Sequence, residues 1–214
     1  MESFLRRLAV VVRDGLFPRH CVGCNGEGAV WCDACASAFQ PAPPEPFIPT
    51  EGSALAGATA FFSYANPVVR QILTGWKYIG DPAYADVIRT WVAGRSVPAA
   101  DAVVAVPLHR RRENARGYNQ ADVIAETMSA ASGLPVIRPL VRVRHTAPRA
   151  RIALEKRGGN DLAGVFKAVG RVPAHVLLVD DVLTTGATLE AAAEALKAAG
   201  AVSVWAVVVA RGGA

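Results

Sequence analysis

Two adjacent carboxylates, Asp180 and Asp181, stand between an apolar run and a turn rich in threonine and glycine. The apolar run, residues 176–179, predicts a strand that is buried on both faces and that stops at the acids, as strands do in a parallel sheet. Residues 189–199 have a helical pattern that ends at Gly200. The acids are therefore expected to lie at the carboxyl end of a buried strand, just ahead of a helix.

The turn between that strand and that helix contains Thr184, Thr185, Gly186 and Thr188. Small residues let the backbone approach a ligand, N–H groups at a helix start face anions, and threonine hydroxyls add donors. We therefore predict a phosphate in the turn, with the two acids beside it for vicinal hydroxyls or a metal: a phosphorylated-sugar site. The alternative is a turn that serves only as a helix N-cap behind an aspartate-capped strand.

A second chemical element is an arginine-rich loop. A predicted buried strand, residues 102–106, ends at Pro107 and leads into this loop ahead of a helix at 120–132. Ligands of open α/β sheets bind beyond the carboxyl ends of the strands, so the loop should face the same crevice. Guanidinium forks match phosphate oxygens, which makes this a candidate diphosphate loop, the alternative being a solvated run. Its candidate ligands are Arg110, Arg111, Arg112 and Arg116.

Positive charge is concentrated around this loop. Residues 107–160 contain eleven basic and four acidic residues, a local excess of seven against a net charge of +5 for the whole chain. A local excess larger than the global one predicts a face that binds diphosphate, nucleic acid or both. The alternative is an ordinary solvated face.

The four cysteines, Cys21, Cys24, Cys32 and Cys35, form two Cys-x2-Cys pairs separated by seven residues. Each pair can present two thiolates to one tetrahedral Zn²⁺, and we predict a structural zinc ribbon. Disulfides are disfavoured because no secretion signal is visible, and an iron–sulfur cluster suits this symmetric spacing less well than zinc.

The ribbon could be a structural unit that packs on its neighbour, or a docking surface for protein or nucleic acid. Its outward positions are mixed, without a basic or aromatic stripe, so a structural or protein-docking role is favoured. We expect Trp31 and Phe39 to be packing residues.

Length and composition agree with one domain and a small appendage. The chain has 214 residues, of which 52% are hydrophobic and 19% charged. We predict an N-terminal helix (2–16) and zinc ribbon within residues 1–40, a proline-rich linker at 41–55, and the main domain at 56–214. The apolar stretches are too short to span a membrane, and without a signal-peptide pattern a cytoplasmic location is expected.

From residue 56 onward, strand and helix patterns alternate, which predicts an α/β fold with a mostly parallel sheet flanked by helices. Strands are predicted at 58–64, 102–106, 176–179 and 202–209, and helices at 68–78, 83–93, 120–132 and 189–199.

The segment 176–188 resembles the phosphoribosyl-pyrophosphate (PRPP) signature of type I phosphoribosyltransferases. That pattern has four hydrophobic residues, two acids and a threonine/glycine phosphate loop, and all three parts are present. The resemblance implies that Asp180 and Asp181 are catalytic residues that hold the ribose hydroxyls, directly or through Mg²⁺ and water. It also implies that the 5′-phosphate is wrapped by Thr184, Thr185, Gly186, Ala187 and Thr188.

Further motifs resemble the ComF/GntX family of competence-associated, phosphoribosyltransferase-like proteins. They are Val-Pro-Leu-His-Arg-Arg-Arg followed by Gly-Tyr-Asn-Gln, the two cysteine pairs, and Trp76-Lys77-Tyr78 with Gly80. The resemblance implies a role in natural competence and DNA uptake. Possible partners are single-stranded DNA, a helicase or a recombination mediator, and a homodimer is possible.

One more segment is similar to the family's mobile loop, which closes over PRPP in phosphoribosyltransferases. The matching residues are Arg144, Thr146, Arg157 and Asn160, whereas Arg149 stands where the family usually has glutamine. That replacement removes an amide acceptor and puts in doubt any role of this position in reading a base.

Two functions follow from these features. One is transfer of ribose 5-phosphate from PRPP to an unknown acceptor, with Mg²⁺ and the arginines holding the diphosphate. The other is a non-catalytic adaptor that binds single-stranded DNA or DNA-processing proteins.

Overall fold

The structure is a computed structural model that describes residues 18–43, 47–144, 162 and 164–212. The predicted helix at 2–16 lies outside these residues, as do Thr146, Arg149, Arg157 and Asn160. Among the residues described, no helix combines the length and apolarity needed to cross a bilayer.

A five-stranded, all-parallel sheet forms the centre of the molecule, in the order β1-β7-β6-β2-β3. A separate pair, β4 and β5, is antiparallel. The strands are β1 Gly57–Ser63, β2 Ala102–Ala105, β3 Val136–Ile137, β4 Leu140–Arg142, β5 Phe166–Ala168, β6 His175–Leu183 and β7 Ser203–Arg211. The predicted α/β fold with a mostly parallel sheet is confirmed.

Helices cover both faces of this sheet. They are α1 Asp33–Ala38, α2 Pro67–Tyr78, α3 Pro82–Val92, α4 Arg110–Arg116, α5 Gln120–Ser132 and α6 Ala187–Ala198. Side chains alternate along the central strands: Leu177 and Val179 join the core formed with α2, α3 and α5, while Val176 and Leu178 join the core formed with α6. Successive residues of β6 therefore serve opposite faces.

Two local predictions were wrong. Strand β6 does not stop at the acids but continues to Leu183, because Asp180 and Val182 pair with residues of β7, which itself extends to Arg211. The predicted arginine loop contains helix α4, which ends at Gly117 with a positive φ of 81°. A seven-residue helix has too little periodicity to stand out in the sequence.

The cysteine-containing ribbon packs firmly on the main domain. Val30 is buried in the α2–α3–α5 core, and the ring of Phe39 stacks on that of Trp91 at a centroid distance of 5.3 Å. Trp31 meets the same Trp91 edge-on at 6.2 Å, and Arg19 pairs with Asp81 at 2.7 Å. The two ribbon aromatics are packing residues, as expected.

Part of the predicted linker also packs on the domain. Leu55 is buried, Phe47 forms an isolated bridge with Ala58 of β1, and Ser53 donates to Glu190 of α6 at 2.7 Å. Residues 47–55 are thus held against the sheet and α6. The exact domain boundaries stay a prediction.

Candidate functional site

The two acids lie near the carboxyl end of β6, which is flanked by β2 and β7. Because strand residues alternate between faces, their side chains diverge. Asp181 turns toward α2, where its Oδ2 meets the Nζ of Lys77 at 2.8 Å. Asp180 turns toward the other face and lines a pocket with residues of the threonine turn. The acid pair thus spans the end of the sheet.

Electrostatics at Asp180 are unusual for a carboxyl group. Burial, reinforced by the charge of Asp181, raises the pKa of Asp180 to about 7, although Lys77 and Arg142 act against the rise. The Asp180 Oδ1 also accepts a hydrogen bond from the Asp181 backbone N–H at 2.8 Å. The carboxyl is therefore held in one orientation and changes charge near neutral pH.

The threonine turn and the start of α6 form the rest of this pocket, which is lined by Asp180 and residues 182–189. Gly186, the N-cap of α6, has a φ of 79°, a conformation that side chains with a Cβ rarely adopt. Thr184 and Thr185 are exposed. Exposed threonines and backbone N–H groups at a helix start suit a phosphate. Of the two predicted acids, Asp180 is thus brought together with the predicted phosphate residues, whereas Asp181 is turned toward Lys77 and does not line this pocket.

The arginine loop begins at the same edge of the sheet. Val106, which follows β2, donates its N–H to the Val179 carbonyl at 2.9 Å, one residue before Asp180. His109, left without a role from the sequence, caps α4: its Nδ1 accepts the Arg111 N–H at 3.3 Å. At the far end of the loop, the side-chain amide of Asn119 donates a hydrogen bond to the Val106 carbonyl at 3.0 Å, which connects the two ends of the loop.

The four candidate diphosphate arginines do not act as one cluster. Burial lowers the pKa of the Arg142 guanidinium on β4, and the charge of Arg112 lowers it further. The charge of Asp180 opposes the change. Arg116 sits over the Tyr78 ring, 5.4 Å from its centroid, and donates to Gln120. Arg110 and Arg111 are exposed on the helix surface. Of the four, Arg112 is the one whose charge acts on Arg142, and the charge of Arg142 in turn acts on Asp180.

Sequence reasoning missed two site residues, Lys77 and Arg142. Both come from elements remote from the signature, α2 and β4. Lys77 had a usable signal, since it follows the buried positions Leu73 and Trp76 on an otherwise apolar helix face. Arg142 lies two residues before Arg144, which is exposed; Thr146, Arg157 and Asn160 lie outside the described residues.

The four cysteines form a compact cluster whose Sγ atoms all lie within 4.8 Å of one another. Cys24 and Cys32 Sγ are 3.7 Å apart, close to the edge of about 3.8 Å for a tetrahedron with Zn–S bonds of about 2.3 Å. The Gly23 and Cys32 N–H groups point at Cys21 Sγ from 3.4 and 3.5 Å. Hydrogen bonding to Cys32, with burial, raises the pKa of Cys35 to about 12, whereas burial at Cys21 is outweighed by backbone hydrogen bonds, which lower the pKa of Cys21 to about 6. Such a set of crowded thiols fits zinc.

The raised pKa of Asp180 predicts a pH-dependent stability. Between about pH 4 and 7 the folded state keeps a proton that an unfolded carboxyl, with its ordinary pKa of 3.8, has released. Stability must then fall as pH rises through this window, by at most about 1.4 kcal/mol per unit. The Asp180→Asn variant lacks this carboxyl group, so its free energy of unfolding should not show this loss. Its stability relative to the wild type should therefore increase as pH rises through the window. Urea unfolding of both proteins would measure it.

The exposed Asp86→Asn is the matched control, because it removes an acid from the surface of α3. A stability difference between wild type and Asp180→Asn that stays constant across the window would contradict the prediction.

The segment that contains the threonine turn is similar to a known domain family. The model of the phosphoribosyl transferase domain family matches residues 173–214, which include β6, the threonine turn and α6. The B. subtilis glutamine PRPP amidotransferase, complexed with ADP and GMP, superposes with a TM-score of 0.44 and 21% identity, over 64% of this chain and 30% of that one.

Curated relatives carry competence and DNA-utilization names. Competence protein F of Haemophilus influenzae is 34% identical over 111 residues, covering 49% of this chain and 48% of that protein. Competence protein ComFC of Streptococcus pneumoniae is 28% identical over 146 residues, 68% of this chain and 64% of that protein. DNA utilization protein YhgH of Salmonella typhi is 35% identical, covering 51% and 49%. The chain thus spans about half the length of most of these relatives, and its resemblance to the ComF family is confirmed.

Proposed function

We propose that this protein binds PRPP, or a related phosphorylated ribose, in the pocket at the carboxyl end of β6. The observation that carries the proposal is that Asp180 and the turn 184–188 line one pocket at the start of α6. The turn would hold the 5′-phosphate, and Asp180 and Asp181 would accept hydrogen bonds from the ribose hydroxyls.

The diphosphate of PRPP would then extend toward Arg112 and Arg142. The charge of Arg112 acts on Arg142, which also interacts electrostatically with Asp180, and a bound polyanion would relieve the repulsion between the two guanidiniums. Mg²⁺ would bind as the counterion of the diphosphate and would therefore enter the site as part of the substrate.

If the protein is a transferase, it would move ribose 5-phosphate from PRPP to a nitrogen nucleophile. The anomeric C–O bond breaks, its electron pair leaves with the diphosphate, and the nucleophile forms the new bond to the anomeric carbon. The arginines stabilise the leaving charge, while the acids and the turn orient the sugar. No covalent protein nucleophile is needed.

The names of the relatives support a place in DNA uptake. The adaptor alternative, binding of single-stranded DNA, is favoured by one observation: Tyr78 is 75% exposed and lies beneath Arg116, whose helix α4 also carries the exposed Arg110 and Arg111. Exposed aromatic and basic side chains suit stacked bases and phosphates. Trp31 and Phe39 of the ribbon are occupied in packing and do not contribute.

Thermal unfolding with added ligands tests the proposal. Saturating PRPP, at about 100 times its Kd, should add about 2.7 kcal/mol and raise the Tm by roughly 5–10 °C. Glucose 6-phosphate, which offers a phosphate without the pentose, is the control and should have little effect. Equal shifts with both compounds, or no shift with PRPP, would defeat the sugar-phosphate assignment.

A second measurement separates transferase from adaptor. Consumption of PRPP with release of diphosphate in the presence of a nitrogen acceptor supports the enzyme. Binding of a short oligonucleotide that weakens steeply with salt supports the adaptor.

A further inference from the structure

The ion pair between Lys77 and Asp181 is built into the candidate site. Lys77 lies in the last turn of α2, and its Nζ is 2.8 Å from Asp181 Oδ2. The side chains are 19% and 15% exposed, so this is not a surface salt bridge. Burial alone would lower the pKa of Lys77, but the charges of Asp181 and Asp180 outweigh it and raise the pKa. The ammonium therefore stays charged.

The same carboxylate oxygens are the ones a bridging divalent cation would need. Mg²⁺ demands oxygen ligands at about 2.1 Å in near-octahedral geometry. An ammonium already bonded to Asp181 Oδ2 would lie next to such an ion and repel it. On the other face, Asp180 Oδ1 accepts the Asp181 N–H and feels the charge of Arg142. The acid pair thus has the Lys77 ammonium bonded to it on one side and the charge of Arg142 acting on it from the other.

Because of these contacts, the acid pair is poorly suited to bind a metal ion and well suited to accept hydrogen bonds from hydroxyl groups. A carboxylate that is held by an ammonium through one oxygen keeps its second oxygen free of that contact. A neutral hydroxyl can donate to that second oxygen without meeting the repulsion that a cation would meet.

We propose that Lys77 is the resident counterion of the acid pair: it orients Asp181 as a hydroxyl acceptor, excludes divalent cations, and so lets the pentose be held directly rather than through a metal bridge. This role rests on the function proposed above. Lys77 acts through Asp181 and is a positioning residue.

Two readouts test it, both on zinc-loaded, full-length protein. The first is Mn²⁺ binding without sugar phosphate, followed by electron paramagnetic resonance. Lys77→Met should bind Mn²⁺ at least about tenfold more tightly than the wild type, and the gain should vanish when Asp180→Asn and Asp181→Asn are added. Lys77→Arg, which keeps the charge, should behave as the wild type does.

The second readout is the affinity for ribose 5-phosphate in buffer without added divalent cations, measured by calorimetry. Lys77→Met should bind it about tenfold more weakly, and Lys77→Arg should recover most of the loss. Lys197→Met, which removes an exposed lysine from the last turn of α6, is the matched control and should leave both readouts unchanged.

Unchanged Mn²⁺ affinity in folded Lys77→Met would overturn the proposal. If that variant fails to fold, the wild type decides: Mn²⁺ binding that disappears in Asp180→Asn/Asp181→Asn would show that Lys77 does not exclude cations. Failure of wild-type protein to bind ribose 5-phosphate or PRPP would refute the proposed function instead, and the Mn²⁺ comparison would still decide the role of Lys77.

Discussion

Replacing both Asp180 and Asp181 by asparagine is expected to abolish PRPP binding while the fold survives. Each carboxylate that accepts hydroxyl donors contributes about 1.5–3 kcal/mol, so losing both should weaken binding at least about 100-fold. The asparagines preserve shape and the backbone pairing of β6 with β7. Calorimetric titration with PRPP, beside circular dichroism of the free variant, would measure both effects.

The matched control removes two acids from exposed helix surfaces, with the variant Asp86→Asn/Glu194→Gln. It changes the net charge by the same amount and should bind PRPP as the wild type does. An Asp180→Asn/Asp181→Asn protein that is folded and binds PRPP with unchanged affinity would refute the sugar-binding role of the pair.

Removal of two of the four cysteines that we predict to bind zinc is expected to have the second large effect. The variant Cys24→Ser/Cys32→Ser should lose bound zinc and, with it, the fold of the ribbon, since so short a segment has little core of its own. The packing of Trp31 and Phe39 on Trp91 would be lost as well. Burial of one large aromatic is worth about 3–5 kcal/mol, which predicts a Tm lower by roughly 10 °C or more.

Metal analysis and calorimetric melting would check this. Glu27→Ser/Gln40→Ser, which changes two exposed residues of the same region, is the control and should keep both zinc and Tm. Wild-type protein without zinc, in which all four thiols titrate freely, would contradict the zinc assignment. Zinc loss without a change in Tm would contradict the structural role of the ribbon.

Features that are contiguous in the chain were predictable from it. The long apolar runs predicted β2, β6 and β7, because strands buried on both faces need unbroken apolar sequence. Helix α5 was predicted at its observed bounds, residues 120–132, since its apolar residues recur on one face. The acids, the threonine turn and the start of α6 follow one another directly. The meeting of Asp180 with the turn at one pocket therefore required only that the strand and helix form.

Short elements were not predicted, because they depend on residues that are distant in the chain. Strands β3, β4 and β5 have only two or three residues each, and they exist because partners elsewhere in the chain pair with them. The extension of β6 past its acids depends in the same way on β7. Such pairing leaves little trace in local periodicity.

By itself, the sequence determined the α/β class, the cysteine cluster and the acid–threonine segment, because each is encoded by neighbouring residues. Only the tertiary structure decided what surrounds the acids. Lys77 reaches Asp181 across 104 positions of chain, and Arg142 approaches Asp180 from a separate antiparallel pair. The strand's alternation sends the two carboxylates to opposite faces, and the packing of α2 and β4 on those faces supplies each with its cation.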